Sequence, residues 1–387
     1  VGLMRRGHQV TVVADRPHDD EVPYSDGDAH QLASVVAYRP TRSRDDLSRL
    51  PAMAAPAARA LARTPGNLRF LTAQPLDPSA TRKMRLRDVL AATALAECDV
   101  VHCHFGPTGL RTIEVLDTLG LDTPIVTTFH GFDLSKYLAT HGPHVYDPLF
   151  ARGALFLPIS ETFRDRLIGL GAPPERTVVH RMGVDTERFT TVDHPPHEGP
   201  LRVLAIGRLV EKKGIANAIT AVSRAADSGV DIALTVVGDG PLRQGLEHLA
   251  TSRRAPVTFV GSVNRARVIA LLEESDVLLA PSVTAADGDT EGIPVSIMEA
   301  MSCGLPVVTT RHSGIPEVVL DGVTGLLADE HDPAAITEHL VTLAADTETR
   351  LRLGAGARAF VEAECSLAVL GPQLDTIYVG VVATPRG

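Results

Sequence analysis

Along this chain, short continuous apolar runs alternate with stretches whose apolar residues recur at helical spacing. Residues 8–15, 99–104, 124–129, 154–158 and 177–180 read as strands. Unbroken apolar runs of this length suit parallel strands covered on both faces. The alternation stops at residues 190–200, a polar, proline-rich stretch without periodicity that reads as a linker. It then restarts, with strands over 201–206, 232–237, 257–260, 277–280, 306–309 and 325–328. Helices are predicted between them over 215–226, 241–251, 265–274, 294–302 and 333–345, and from 348 to 364 and beyond. Two successive βαβ series predict an α/β protein of two Rossmann-like, doubly wound domains. The expected division is a first domain over 1–192, a linker over 193–200, a second domain over 201–362 and a C-terminal segment over 363–387. Ligands of such sheets sit outside the carboxyl ends of the strands, so two facing domains predict a central cleft.

A length of 387 residues suits two or three domains. No apolar run reaches the ~20 residues of a spanning helix, and no signal-peptide pattern opens the chain. The net charge of −10 argues against a nucleic-acid partner. The charge is uneven: residues 39–88 carry eleven Arg or Lys (Arg39 to Arg87) against four Asp. This basic stretch, 39–87, is either a solvated arginine-rich face or a contact for anionic membrane at the inner face of the cell membrane. Cys98, Cys103, Cys303 and Cys365 show no paired framework, which suits a reducing, cytoplasmic compartment. Trp is absent and other aromatic residues are few, so broad stacking platforms for polysaccharide are poorly supported.

The sharpest chemical signal lies between Glu291 and Pro306. Glu291 and Glu299 stand eight residues apart, with Gly292, Ile293 and Pro294 directly after the first. Proline favours the first helical position, so a helix is expected to begin at Pro294, with Glu291 in the loop before it and Glu299 in its second turn. Gly292 and Ile293 would then offer backbone N–H groups at a helix N-terminus, a place suited to pyrophosphate. A carboxylate one turn further in can accept two hydrogen bonds from vicinal ribose hydroxyls. A second signal is Gly207-Arg208 with Lys213, between a strand and a helix. Gly207 lets the backbone turn, and Arg208 and Lys213 can converge on phosphate oxygens, Lys212 being less favoured by register. A third is His130-Gly131-Phe132-Asp133, at the end of a first-domain strand; Asp133 either caps the next helix or touches ligand. A fourth is Gly238-Asp239-Gly240-Pro241, whose glycines permit close approach of a ligand or of neighbouring backbone.

With these motifs the chain resembles the retaining glycosyltransferases of family 4, of the GT-B fold, over nearly its whole length. The resemblance implies that Glu299 holds the ribose of a nucleoside-diphosphate sugar, Glu291 lies by the sugar's hydroxyls, and Arg208 and Lys213 bind the diphosphate. It also implies that His130 contacts the donor's 6-hydroxyl, that Gly240 borders the donor and that backbone near residues 261–263 reads the base. The pairing of His102-Cys-His104-Phe-Gly106 with His130-Gly131, and of Glu291-Gly-Ile-Pro294 with His312-Ser-Gly-Ile-Pro, is similar to the branch that builds exopolysaccharides of the colanic acid and amylovoran type. That branch implies a lipid-linked glycan acceptor, with His104 and Asp133 as acceptor-side candidates. In the family a strand and a glycine- or serine-rich loop precede the helix that here opens at Val1. The first sheet is therefore expected to lack a central strand, and the chain as it stands to fall short of full activity.

The expected reaction moves a hexosyl group from a UDP- or GDP-sugar to a hydroxyl with retention, without metal or other cofactor. No carboxylate pair is placed like the nucleophile and acid of a glycosidase. Asp287-Gly-Asp289 looks like a metal motif, but Arg208 and Lys213 already supply the charge a metal would bring. His102 and His104 share one strand face with Cys103 on the other, and no further ligand stands nearby in sequence. The alternatives are a sugar-nucleotide-binding module without activity, and a nucleotide-sugar epimerase or hydrolase on the same architecture.

Overall fold

A computed structural model of the chain describes residues 2–14, 36–38, 74–80, 95, 98–191 and 198–383. Its contacts divide the chain into two compact units. Unit 1 comprises residues 1–158, 163–180 and 371–387, and unit 2 comprises residues 159–162 and 181–370.

Unit 1 opens with helix α1 (Gly2–Arg5) and the parallel pair β1 (Val12–Ala14) and β2 (Val36–Tyr38). A three-stranded parallel sheet follows, β3 (Val101–His104), β4 (Ile125–Phe129) and β5 (Leu155–Pro158), with β4 in the middle. All five residues of β4 are buried, as a central strand covered on both faces must be. Helix α2 (Gly106–Leu119) links β3 to β4; Pro107 sits in its first turn and Gly120 ends it in the left-handed conformation. The short helices α3 (Lys136–His141) and α4 (Asp147–Arg152) precede β5, and α5 (Glu161–Gly169) follows it. Residues 177–180, expected as a strand, form only an isolated bridge at Thr177 with Phe156. Val178 and His180 still donate backbone N–H bonds to Phe156 and Pro158, so the segment tracks the sheet edge without a regular ladder.

Unit 2 holds a six-stranded, wholly parallel sheet. Its elements are β6 (Leu201–Ile206), α6 (Ile215–Asp227), β7 (Ile232–Val237), α7 (Arg243–Ser252), β8 (Val257–Gly261), α8 (Arg265–Glu273), β9 (Val277–Ala280), α9 (Val295–Ser302), β10 (Val307–Thr310), β11 (Gly325–Ala328), α10 (Pro333–Ala345) and α11 (Thr347–Glu364). The strand order is β11-β10-β9-β6-β7-β8, the doubly wound order of a dinucleotide-binding domain. Helix α6 buries Ile215, Ala218, Ile219, Val222 and Ala225, one stripe at helical spacing, against one face of the sheet with Leu340 and Leu343 of α10. The other face is covered by Ile297, Met298 and Met301 of α9 with Ala357 and Val361 of α11. Caps set three helix starts: Asp332 accepts from Ala334 N and Ala335 N before α10, Asn264 from Arg267 N before α8, and Asp346 from Thr349 N before α11.

The last helix, α12 (Leu367–Ala383), is shared, its residues to Leu370 grouping with unit 2 and those from Gly371 with unit 1. Within unit 1, Asp375 of α12 is held by Arg6 Nη2 at 2.7 Å and His8 Nε2 at 2.6 Å, and the Tyr378 hydroxyl meets His102 Nδ1 at 2.5 Å. The contacts change hands at residues 181 and 371, where the sequence reading places its bounds at 192 and 363. Residues 181–191 pack with unit 2 because Val184 and Phe189 belong to its core. No helix among the described residues is long and apolar enough to cross a membrane. The basic cluster from Arg39 to Arg87 lies outside the described residues.

Candidate functional site

In unit 2 the strand order reverses between β6 and β9, which pair through Val203–Val277 and Leu204–Leu278. At such a switch point the loops after the two strands run in opposite directions and leave a crevice at the carboxyl edge. Here those loops are 207–214 after β6 and 281–294 after β9. They are clamped together at Gly214, whose φ of 63° is left-handed and where a Cβ would lie 1.8 Å from the Pro281 carbonyl oxygen. Val283 N also donates to the Lys212 carbonyl at 2.9 Å.

This clamp converges four charges. Lys213 Nζ lies 3.0 Å from Glu291 Oε2, and Lys212 Nζ lies 3.3 Å from Glu291 Oε1 and 3.1 Å from Asp289 Oδ2. The Lys213 stem runs over Gly207, where a Cβ would stand 3.1 Å from its Cδ and Cε. Lys212, set aside on register, thus joins the site: the lysines stand in a short 3₁₀ turn, Glu211–Lys213, and both long side chains reach the same carboxylate. Burial works to raise the Glu291 carboxyl, but the Lys213 and Lys212 ammoniums outweigh it and hold its pKa below the ordinary value. Asp289 is an ion-pair partner of Lys212, and among the described residues no cluster of three or more His, Cys, Asp or Glu could hold a metal ion. Arg208 is exposed, and its guanidinium forms no ion pair or hydrogen bond with a described residue. A narrow cavity of ≈ 10 Å³ at this edge is lined by Lys213, Ser282, Pro294 and Ser296, among others.

Helix α9 starts one residue later than expected. Pro294 has φ −59° and ψ 128°, an extended N-cap, and its carbonyl accepts from Ile297 N at 3.0 Å. The first-turn N–H groups are therefore those of Val295 and Ser296. Gly292 and Ile293 lie before the cap, and the Ile293 side chain is core. Glu299 is buried in the second turn, 3.0 Å from Arg265 Nη2. Burial raises its pKa, against the pull of Arg265 and Arg188. Arg265 stacks over Phe189, with its Cζ 4.9 Å from the ring centre. Gly240 supports the fold: a Cβ there would meet the Leu209 carbonyl oxygen at 2.6 Å, so neighbouring backbone fills the approach.

A hydrogen-bonded relay behind Glu291, centred on a buried histidine, is not legible in the sequence. His312, 1% exposed, accepts the Glu291 N–H at Nε2 (3.0 Å), and its Nδ1 lies 2.5 Å from Glu330 Oε1. Glu330 Oε2 accepts the Thr284 N–H at 2.7 Å. The signal was present as His312-Ser-Gly-Ile-Pro after a buried strand, but its partner follows β11 and is remote in sequence.

In unit 1, His130 and His104 meet, with Nε2 of the first 2.9 Å from Nδ1 of the second. The rings of His102, His104 and His130 stack in series, and the exposed Phe105 tilts against His130 with centroids 4.6 Å apart. Burial, reinforced by neighbouring histidines, pushes the His102 and His130 pKa values down to about 3. Of the two roles the sequence allows Asp133, its contacts are those of a loop-tying cap. It is fully buried and accepts backbone N–H bonds from His130 (3.0 Å), Gly131 (2.8 Å) and Gly106 (3.1 Å). It therefore ties the loop after β3 to the loop after β4.

The family description Glycosyl transferases group 1 matches residues 187–360, and Glycosyltransferase Family 4 matches residues 1–188. The chain is 35% identical over 342 residues to the protein named colanic acid biosynthesis glycosyltransferase WcaL in Salmonella typhimurium, covering 86% of this chain and 83% of that one. It is 37% identical over 282 residues to amylovoran biosynthesis glycosyltransferase AmsK of Erwinia amylovora, covering 72% and 69%. Among solved structures, Anabaena Alr3699/HepE in complex with UDP and glucose superposes with a TM-score of 0.65 at 19% identity, over 76% of this chain and 82% of that one.

Proposed function

The chain belongs to the group 1, family 4 glycosyltransferases and has their GT-B type of fold, and we propose that it transfers a hexosyl group, with retention, from a nucleoside-diphosphate sugar to a hydroxyl of a glycan acceptor. The supporting observation is the switch point of unit 2, where Lys212, Lys213 and Glu291 gather beside the start of α9. As the glycosidic bond breaks, the leaving diphosphate gains negative charge. Cations fixed at that place stabilise the transition state more than the ground state. Arg208 with Lys213 binds the diphosphate in this reading, Glu299 takes the ribose hydroxyls and Glu291 faces the sugar. His130 serves as a hydroxyl-binding group of the transfer reaction. The leaving phosphate takes the acceptor proton on the front face, without a metal ion, because the lysines and Arg208 supply the positive charge.

The names of the relatives support an exopolysaccharide or other cell-surface polysaccharide as product, built on a lipid-linked acceptor at the inner membrane face. HepE binds UDP and, in a further complex, UDP-glucose, which supports a UDP-sugar as one donor to try, and the mannosyltransferases among the relatives support a GDP-sugar as the other. The test incubates the protein with radiolabelled UDP- and GDP-sugars and membrane extract. A lipid-linked product whose new linkage keeps the donor's anomeric configuration is expected. Donor binding without product would support a silent binding module, and free epimerised sugar would support an epimerase.

A further inference from the structure

The carboxyl ends of β9, β10 and β11 are joined by one chain of hydrogen bonds, buried at His312 and Glu291 and reaching the surface at Thr284. Thr284, after β9, gives its N–H to Glu330 Oε2 at 2.7 Å. Glu330, after β11, meets His312 Nδ1 through Oε1 at 2.5 Å. His312, after β10, accepts the Glu291 N–H at Nε2, 3.0 Å away. The direction of each bond is forced. A backbone N–H can only donate, so Nε2 must carry a bare lone pair. The imidazole proton must then sit on Nδ1, and Glu330 must accept it.

We propose that His312 and Glu330 are a positioning pair for Glu291: Glu330 locks the Nδ1–H tautomer, and the bare Nε2 anchors the backbone of Glu291, so that its carboxylate stands between Lys212 and Lys213. The arrangement follows the logic by which a carboxylate orients a histidine in a hydrolase triad, here directed at a main-chain donor. Glu330 suits the task because both its oxygens accept: Oε2 takes the Thr284 N–H, and Oε1 takes the His312 Nδ1–H and, at 3.4 Å, the Thr284 hydroxyl. A glutamine has one acceptor oxygen and an NH₂ group. With its oxygen on Thr284, the NH₂ faces His312 and favours the opposite tautomer, which would aim an N–H at the Glu291 N–H. The role of Glu291 toward the sugar rests on the function proposed above; the tautomer does not.

The test has two arms. Long-range ¹H–¹⁵N NMR of histidine-labelled protein near neutral pH is expected to show His312 protonated at Nδ1 alone, and Glu330→Gln to move the proton to Nε2. A wild-type His312 protonated at Nε2, or at both nitrogens, overturns the relay whatever the enzyme's substrate. In the second arm, turnover of the donor that the wild type uses is compared with the affinity for UDP or GDP lacking the sugar. His312→Leu is expected to lower kcat at least tenfold with nucleotide Kd within twofold of wild type. His312→Gln, whose side-chain oxygen can stand near the place of Nε2, is expected to recover part of that loss. Equal turnover in both variants would overturn the positioning role, and equal loss of bare-nucleotide affinity would reduce His312 to a general support of the loop. A wild type that turns over no donor would instead count against the proposed function, leaving the tautomer result to decide the relay.

Discussion

Replacing Arg208 with alanine is the most informative perturbation of the loop after β6. The charges around it nearly cancel: Lys212 and Lys213 face Asp289 and Glu291 at 3.0–3.3 Å. Arg208, on the same loop, has no such partner among the described residues, so its charge is the one an incoming diphosphate meets uncompensated. A hydrogen bond to a charged group contributes about 2 kcal/mol, or about thirtyfold in Kd. Arg208→Ala should therefore weaken UDP and GDP binding about thirtyfold. Arg208→Lys keeps the charge but loses the planar fork, and should fall between. Because the side chain is exposed, the difference should shrink as salt approaches 1 M, where the Debye length falls to about 3 Å. Isothermal titration at fixed ionic strength reads the affinities, and thermal melting should show an unchanged midpoint. Arg208→Ala binding within twofold of wild type would refute the assignment of free positive charge to this residue. Lys213→Ala is a poorer probe, since it also strips a buried carboxylate of a partner.

Gly214→Ala would place a Cβ 1.8 Å from the Pro281 carbonyl oxygen at a φ of 63°. It should cost at least about 3 kcal/mol and lower the melting temperature of unit 2 by about 10 °C; an unchanged melt would contradict the clamp between the two loops. The pH dependence of unit 1 follows from His102 and His130, whose folded pKa values are depressed to about 3. Below the unfolded value of about 6.5 the unfolded chain binds protons that the folded chain does not, so stability is full above that pH and is lost as pH falls toward 3. The two histidines together should remove about 3 kcal/mol by about pH 5.5. Urea titrations at pH 7.5 and 5.5 would show it, and His102→Asn should flatten the slope; a slope unchanged in that variant would contradict the burial argument.

Unit 2 was legible because its strands are unbroken apolar runs, such as Val277–Ala280, separated by helices with one apolar stripe. Thr177–His180 misled because β-branched residues read alike at a sheet edge and inside it. The helix start at Pro294 was off by one because a proline φ near −60° fits both an N-cap and a first helical position; only ψ separates them. Glu291, Lys213 and Glu299 stand in local motifs, and the structure brings the first two into contact. Register favours Lys213 over Lys212 because spacing assigns a direction to a side chain but not the reach of a lysine stem. The sequence alone allows Asp133 either a cap or a ligand role. Its partners, Gly106 N and His130 N, lie on two loops that only the sheet brings together. The same holds for His312 and Glu330, eighteen residues apart and joined by the parallel pairing of β10 with β11.

The central claim is that Glu299 holds the ribose of a nucleoside-diphosphate sugar in unit 2. Calorimetric titration of Glu299→Gln with UDP, GDP and inorganic pyrophosphate tests it most directly. The account predicts a loss of about tenfold to a hundredfold for the nucleotide that the wild type binds, from weakened bonds to a charged acceptor, and no change for pyrophosphate. Unchanged nucleotide affinity in a folded Glu299→Gln protein would contradict it.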